Sequence, residues 1–508
     1  MLIHRRPLDL EGARVPSLFP ALRENPSRTA LRFGSLAMTY GDLAAASGAL
    51  AGKIADARRV AVWATPTPHT AVAVVAALRA GVPVVPLNPR TGSRELAHIL
   101  TDSAPSTVLA APDDRLPEGP DALPRVDVHL SGDEQPDGTA PGPDDGEGEP
   151  DPGRAALIVY TSGTTGPPKG AVIPRRAVAH TLDALAAAWR WTSEDVLVHA
   201  LPLFHVHGLV LGVLGPLRQG GTVHHLGRFD VGSVARELSG PGTMLFGVPT
   251  MYHRLAEAVA DDRELARALA GARLLVSGSA PLPLRDHRRI AGATGRHVVE
   301  RYGMTETLMN TSVRLADDGR GLLPARPGTV GGPLDGVELR LVHEDGTPVD
   351  TWDGETVGEV QVRGPSLFTE YLGRPDATAA AFTGDGWFRT GDMATRNSSG
   401  AVSLVGRRST DLVKSGGYKI GAGEIENALL EHPGVAEAAV TGEPDGDLGE
   451  RVVAWIVPVD GASPPDERDL VDHVTALLSP HKRPRRVRYL TTLPRNDMGK
   501  IVKRELGA

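Results

Sequence analysis

Residues Tyr160 to Gly170 read Y-T-S-G-T-T-G-P-P-K-G and follow the apolar run AALIV directly. A Gly/Ser/Thr-rich turn leaves backbone N–H groups and hydroxyls free to surround phosphate oxygens, and Lys169 adds a movable positive charge. The segment differs from a Walker A loop because Gly163 and Gly166 to Lys169 do not fit G-x-x-x-x-G-K-[ST]. A flexible linker is a poor description, because a strand enters the segment and a lysine lies inside it. Other candidate groups are ambiguous on their own: a Thr305-Glu306 pair, a lysine at 500 in a basic tail, and His205 with His207 at i, i+2. The two histidines could be metal ligands on one strand face, but no third ligand lies nearby in sequence. The chain has no cysteine, which excludes disulfides, thiolate metal sites and a cysteine nucleophile. Any thiol chemistry must use a thiol supplied by a substrate.

The elements around these residues alternate. From Arg59 the order is strand (RVAVWA), helix (TAVAVVAALRAG), strand (VPVVPL), helix (SRELAHILTDS) and strand (STVLAA), the pattern of β-α-β units on a parallel sheet. Residues 131–153 carry eight acids among Gly, Pro and small residues and no hydrophobic period, which predicts a solvated connector. Alternation resumes with RAALIVY, DVLVHALPL, GTVHHL, GTMLFGVPT, ARLLVSGS and RHVVERYG, predicting a second α/β half. Beyond Pro327, Gly-rich short strands such as VELRLV and GEVQVRG predict a small β-barrel or sheet layer. The expected fold is therefore α/β: a large N-terminal lobe (1–405) of two α/β-sheet subdomains plus a small β-barrel, and an α+β C-terminal domain (406–508).

At 508 residues the chain needs two or more domains. A formal charge of −8 argues against a general nucleic-acid binder. The last 29 residues nevertheless hold nine Lys/Arg against two acids, which is either a salt-bridged solvated face or a face turned toward phosphates. Arg79 interrupts the apolar run Ala71 to Leu87 short of the roughly 20 residues a membrane span needs. The N-terminal MLIHRRPLDLEGARVPS lacks a signal-peptide core. These features predict a soluble cytoplasmic protein without membrane or nucleic-acid partners, a monomer or weak oligomer.

Six ordered segments carry a resemblance: the 160–170 loop, SGSAPL (Ser277 to Leu282), RYGMTET (Arg301 to Thr307), FRTGD (Phe388 to Asp392), GRRSTDLVKSGGYKIGAGEIE from Gly406, and PRNDMGK (Pro494 to Lys500). Together they resemble the acyl-adenylate-forming superfamily of acyl-CoA synthetases, peptide-synthetase adenylation domains and firefly luciferases, over nearly the whole chain. The resemblance implies an acid–thiol ligase that uses ATP, Mg²⁺ and CoA: a carboxylate attacks the α-phosphorus to give an acyl-AMP and pyrophosphate, and CoA then takes the acyl group. It implies nucleotide contacts from Thr161, Ser162, Gly163, Thr164, Thr165, Gly166 and Lys169. Further nucleotide contacts are implied at Ser279, Ala280, Pro281, Glu300, Arg301, Tyr302, Gly303, Met304 and Thr305. Asp392 and Arg407 are implied for the ribose, with Arg408 as an alternative because Asp411 falls one residue late. Thr305, Glu306 and Lys500 are implied as the catalytic set, with Glu306 as Mg²⁺ ligand and Lys500 bridging the acid and the α-phosphate. The C-terminal domain is implied to be mobile about a hinge at 408–410, with Gly416, Gly417 and Lys419 lining the CoA tunnel.

The acid itself is suggested by cations. His205, His207 and Arg288 lie near the segments that form the acyl pocket in the superfamily, and an unpaired buried charge would be costly beside an aryl or fatty acid. PLFHVHGL, GSAP...DHR and ERYGMTE..MNTS resemble the malonyl-CoA synthetase branch. That resemblance implies malonate, with methylmalonate tolerated, His207 and Arg288 on the distal carboxylate, and Val206 and Met304 bounding the α-carbon. A monoacid ligase of the same fold, and an adenylating loader that uses no CoA, are the alternatives.

Overall fold

A computed structural model describes residues 17–131, 149–161, 167–316, 322–323, 328–407, 411–416, 418–459, 464–496 and 499–506. Most of the connector, the loop residues Ser162, Gly163, Thr164, Thr165 and Gly166, the hinge 408–410, Gly417 and the Lys419 side chain lie outside the described residues.

Short apolar strands rich in Val and Leu, almost wholly buried, assemble into two sheets. The first runs in the order Glu370–Tyr371, Lys169–Pro174, Ala155–Thr161, Val84–Leu87, Val60–Trp63, Thr107–Ala110, Arg125–Asp127. The second runs Gly332–Pro333, Thr311–Ser312, Val298–Tyr302, Leu274–Ser277, Met244–Gly247, Val196–His199, Thr222–His225, Thr29–Phe33, Leu36–Thr39. Neighbouring strands from Val298–Tyr302 to Thr29–Phe33 are parallel, as β-α-β connection requires. A single large core containing Tyr40, Val74, Leu157, Trp189 and Phe246 draws on both sheets and their helices.

The two halves are interleaved rather than sequential. Ala155–Thr161, which follows the connector and was expected to open the second half, pairs with Val84–Leu87 and joins the first sheet. Thr29–Phe33, near the start of the chain, pairs with Thr222–His225 in the second. Local hydrophobic pattern specifies a strand but not its partner, so this exchange was invisible in the sequence.

A third sheet, Glu338–Val342, Gly358–Arg363, Phe388–Arg396 and Val402–Arg407, is antiparallel throughout and packs over its own core with Tyr302 and Tyr371. The smaller C-terminal domain has a sheet of Tyr418–Gly421, Leu412–Ser415, Gly449–Pro458, Val435–Asp445 and Arg486–Tyr489, with helices Ala422–Leu430 and Glu467–Leu477 against it. Much of the basic tail is spent on ion pairs: Lys482 with Glu424, Arg488 with Glu443, Arg495 with Glu437, and Lys503 with both Asp411 and Glu426. Among the described residues no helix is long and apolar enough to cross a membrane.

One polar staple fixes the second sheet. Asp195, 3% exposed, takes a two-pronged contact from Arg273 at 2.8 and 2.7 Å and further hydrogen bonds from Thr192 N–H and Thr243 Oγ1. Arg273 also donates to the Trp189 carbonyl at 2.8 Å, so the staple ties the helix Arg175–Trp189 to the edge of three strands. Removing Asp195 leaves the part-buried Arg273 guanidinium and the Thr192 and Thr243 donors without their acceptor. Asp195→Ala is therefore expected to lower unfolding free energy by roughly 3 kcal/mol in urea titration, whereas Arg468→Ala, in an exposed i,i+4 pair with Asp472, is expected to change it little.

Candidate active site

The strand Val298–Tyr302 ends where the second and third sheets meet, and its alternation sorts three consecutive side chains to different tasks. Tyr302 faces the third sheet. Its hydroxyl donates to Asp392 Oδ2 at 2.6 Å, while Arg407 Nε contacts Asp392 Oδ1 at 2.7 Å. The antiparallel register sets Asp392 directly opposite Arg407, which is why residues fifteen apart in the chain meet. Burial raises the Asp392 carboxyl above the usual range, with Arg407, Tyr302 and Lys500 acting in the opposite direction. Lys500 is exposed, at the mouth of this cluster, and the preceding Gly499 lies against Thr250 of the N-terminal lobe. Arg408 is outside the described residues, and Arg407 makes the Asp392 contact.

Arg301 points the other way, toward Gly278 and His207. Its guanidinium is buried, and neither Nε nor Nη2 has a partner among the described residues. Burial alone pushes its pKa down to about 10, so the group stays cationic at neutral pH. A side chain at 278 would put Cβ 2.3 Å from Arg301 Cζ, so only glycine fits there. Ser279 beside it holds φ 75, a strained value for a non-glycine residue, and its hydroxyl lies 3.4 Å from His207 Nδ1. His207 Nε2 likewise has no partner among the described residues, whereas Ser277, paired in register with Glu300, lies on the opposite face of the sheet. Burial, then Arg301, holds His207 well below the usual imidazole range, so it is neutral and can donate from one ring nitrogen. Arg301, His207 and Ser279 thus converge with one positive charge and, among the described residues, no anion, the chemistry of a carboxylate receptor.

The histidine is delivered by an unusual element. The segment His207–Leu214 is a π-helix rather than a strand face, and Gly208 permits it because a Cβ there would sit 2.1 Å from the Pro202 carbonyl oxygen. His205 is half-buried against Phe204, and Val206 is buried in the main core.

Glu300, the third residue of the strand end, does not face the nucleotide side freely. Its carboxylate accepts from Leu282 N–H at 3.1 Å and His287 Nε2 at 2.9 Å, which braces the Ser279-Ala280-Pro281 loop. Gly303 opens the following turn, where any side chain would strike the Leu308 carbonyl at 1.9 Å. Met304 packs on the third-sheet core and Thr305 follows it on the same turn. Glu306 is buried, and Tyr371 donates to its Oε1 at 2.9 Å. Lys169 lies 4.8 Å over the Tyr371 ring, so Lys169, Tyr371 and Glu306 form one group. Thr161 pairs with Lys169 across the base of the phosphate loop. Tyr371 was missed in the sequence: an aromatic in the Gly/Pro-rich run TEYLGRPDAT has no spacing signal that marks it.

One expected residue stands elsewhere. Arg288 is 63% exposed and pairs with Glu431 of the C-terminal domain at 3.2 Å. The helix Leu284–Thr294 buries Asp286, His287 and Ile290, and a 100° step per residue turns 288 and 289 outward. Gly416 takes φ 58 and donates to the Leu448 carbonyl at 2.9 Å in the C-terminal sheet. Among the described residues no cluster of three or more His, Asp or Glu could hold a metal ion alone. A lone carboxylate such as Glu306 suits Mg²⁺ that takes its remaining oxygens from phosphates and water.

With this fold and this site, the chain belongs to the AMP-binding enzyme family. The family matches residues 18–372, and the AMP-binding enzyme C-terminal domain matches residues 424–500. It is similar to a malonyl-CoA ligase solved as a ternary product complex with methylmalonyl-CoA and AMP, at 67% identity over 94% of this chain and 100% of that one, TM-score 0.71. It is also similar to ATP-bound MatB from Rhodopseudomonas palustris, at 33% identity over 96% and 97% of the two chains, TM-score 0.85. The mitochondrial malonate–CoA ligase of Bos taurus is 37% identical over 478 residues, 86% of this chain and 78% of that protein.

Glu306 gives a prediction about stability. Its carboxyl is raised mainly by burial, against Tyr371, Arg407 and Lys169. A raised acid contributes stability that is present below the unfolded pKa and lost as pH rises through the folded one. In ligand-free protein, Glu306→Gln should therefore raise the thermal midpoint at pH 8 and lose that advantage toward pH 4, while acid-dependent pyrophosphate release falls roughly 100-fold.

Proposed function

We propose that the protein is an ATP-dependent malonyl-CoA synthetase that also accepts methylmalonate. It converts diacid, ATP and CoA to acyl-CoA, AMP and pyrophosphate through an acyl-adenylate. The observation that carries the substrate class is the Arg301 guanidinium, buried beside His207 and Ser279 and without a counter-ion among the described residues. A monoacid would leave that charge unpaired inside the protein, whereas the distal carboxylate of a short diacid neutralises it. Similarity to malonate-activating enzymes supports the same choice. In this reading Arg301 and His207 replace the pair His207 and Arg288 expected from sequence.

The remaining roles follow from position. Asp392 with Arg407 takes the ribose hydroxyls, and Tyr302, held by its bond to Asp392, lines the adenine site with Ser279, Ala280 and Pro281. The 161–166 loop and Lys169 take the triphosphate, with Thr305 nearby. Glu306 holds the Mg²⁺ that enters with ATP, whose role is to offset phosphate charge during displacement. Lys500 bridges the reacting carboxylate and the α-phosphate as a mobile point charge. CoA brings the thiol that this chain lacks, entering along Gly416, Gly417 and Lys419 after the C-terminal domain turns about 408–410. Cytoplasmic residence, small-molecule rather than nucleic-acid partners, and a monomeric or weakly oligomeric state belong to the same reading.

The test is pyrophosphate release with malonate, methylmalonate, succinate, acetate, butyrate and benzoate, with ATP, Mg²⁺ and CoA present. Preference for the three-carbon diacids is expected, and preference for a monoacid would overturn the substrate assignment. Arg301→Met should lower kcat/KM for malonate by roughly 100-fold or more and acetate turnover far less. Arg288→Ala should leave the malonate-to-acetate ratio unchanged.

A further inference from the structure

The residue that sequence placed in the acid pocket lies instead on a contact between domains. The helix Leu284–Thr294 of the N-terminal lobe meets the turn that follows the helix Ala422–Leu430 of the C-terminal domain. Arg285 enters that turn. Its Nη1 donates to the carbonyls of Leu430 at 3.1 Å and Val435 at 3.2 Å, and its Nη2 to Ala436 at 3.4 Å. Leu430 ends its helix, so its carbonyl is among those without an intrahelical donor and lies at the negative end of the dipole. A guanidinium supplies several donors in one plane and suits such a cluster of carbonyls. Asp286, wholly buried and hydrogen-bonded by His253, lies 3.8 Å from Arg285 Nε and orients it from behind. One turn along, Arg288 reaches Glu431 at 3.2 Å.

Other contacts between the lobes among the described residues include Gly499 against Thr250, Lys414 Nζ at 3.7 Å from Glu344, and Gly421 against Val405. Thr250 belongs to the helix Pro249–Ala258, which packs on Leu284–Thr294. The surface that receives Arg285's partners and the surface that receives the Lys500 loop are therefore one rigid pair of helices.

We propose that Arg285, assisted by Arg288, is a positioning residue for adenylation: it caps the C-terminal domain's helix only when that domain is seated with Lys500 at Asp392. Turning the domain to admit CoA breaks these bonds, so Arg285 weights the balance between the two half-reactions without touching either substrate. The inference rests on the role of Lys500 proposed above.

The experiment measures both half-reactions on the full chain: acid-dependent ATP–pyrophosphate exchange, and thioester formation from supplied acyl-adenylate and CoA. Arg285→Ala should lower the exchange kcat roughly tenfold while the KM for ATP stays within about twofold, and thioester formation should be unchanged or faster. Arg285→Lys should fall between. Because Arg285 is half-buried, an independent pair covers a folding defect: Arg288→Glu should lower exchange, and adding Glu431→Arg should restore it. Unchanged exchange in Arg285→Ala, both half-reactions falling together, or no rescue by the charge swap would overturn the proposal. Lys500→Ala separates the two readings: it should abolish exchange whether or not the latch exists, and intact exchange there would overturn the role of Lys500 itself.

Discussion

A positive charge buried with no counter-ion among the described residues is the constraint around which this region is built. Two nitrogens of the Arg301 guanidinium find no partner among those residues, which is costly inside a core. Everything near it is compatible with leaving that charge exposed to a ligand alone. Position 278 carries no side chain, Ser279 is bent into a left-handed backbone, and His207 stays neutral so that it does not add a second cation. A carboxylate placed there would satisfy several donors at once, so affinity and selectivity have a common origin.

The same strand couples the acid to the nucleotide. Arg301 and Tyr302 are adjacent, and β-alternation aims one at the buried cup and the other at Asp392. In the proposed reading, this one piece of rigid backbone would hold the reacting carboxylate of a short diacid at a fixed distance from Asp392. The third sheet contributes Asp392 and Arg407 through strand register rather than sequence proximity. Positioning of this kind is the main thing a protein can offer a displacement at phosphorus.

Much of this was legible in the sequence. The β-α alternation marked the strands VPVVPL, STVLAA and ARLLVSGS, and the six ordered segments marked the adenylate-forming site. Strand partners were not legible: Ala155–Thr161 and Thr29–Phe33 each joined a sheet that local pattern could not name. The choice between arginines was lost for a different reason. Arg288 and Arg301 are equally charged in the sequence, and only burial separates them. A closer reading of the helix Leu284–Thr294 contained the hint, since Ile290 must face inward and that turns position 288 to the outside. Tyr371 had no such hint, because its role depends on an edge strand of two residues.

The π-winding of His207–Leu214 sets which side chain the segment turns toward Arg301. A π-turn contains one residue more than an α-turn, so its side chains stand out of register with those of an ordinary helix. With α-winding the segment would present a different side chain at the place of His207, rotated by about 100°. Removing one residue beside Gly208 would thus exchange the group that faces the guanidinium, a change that substitution at a single position does not reproduce.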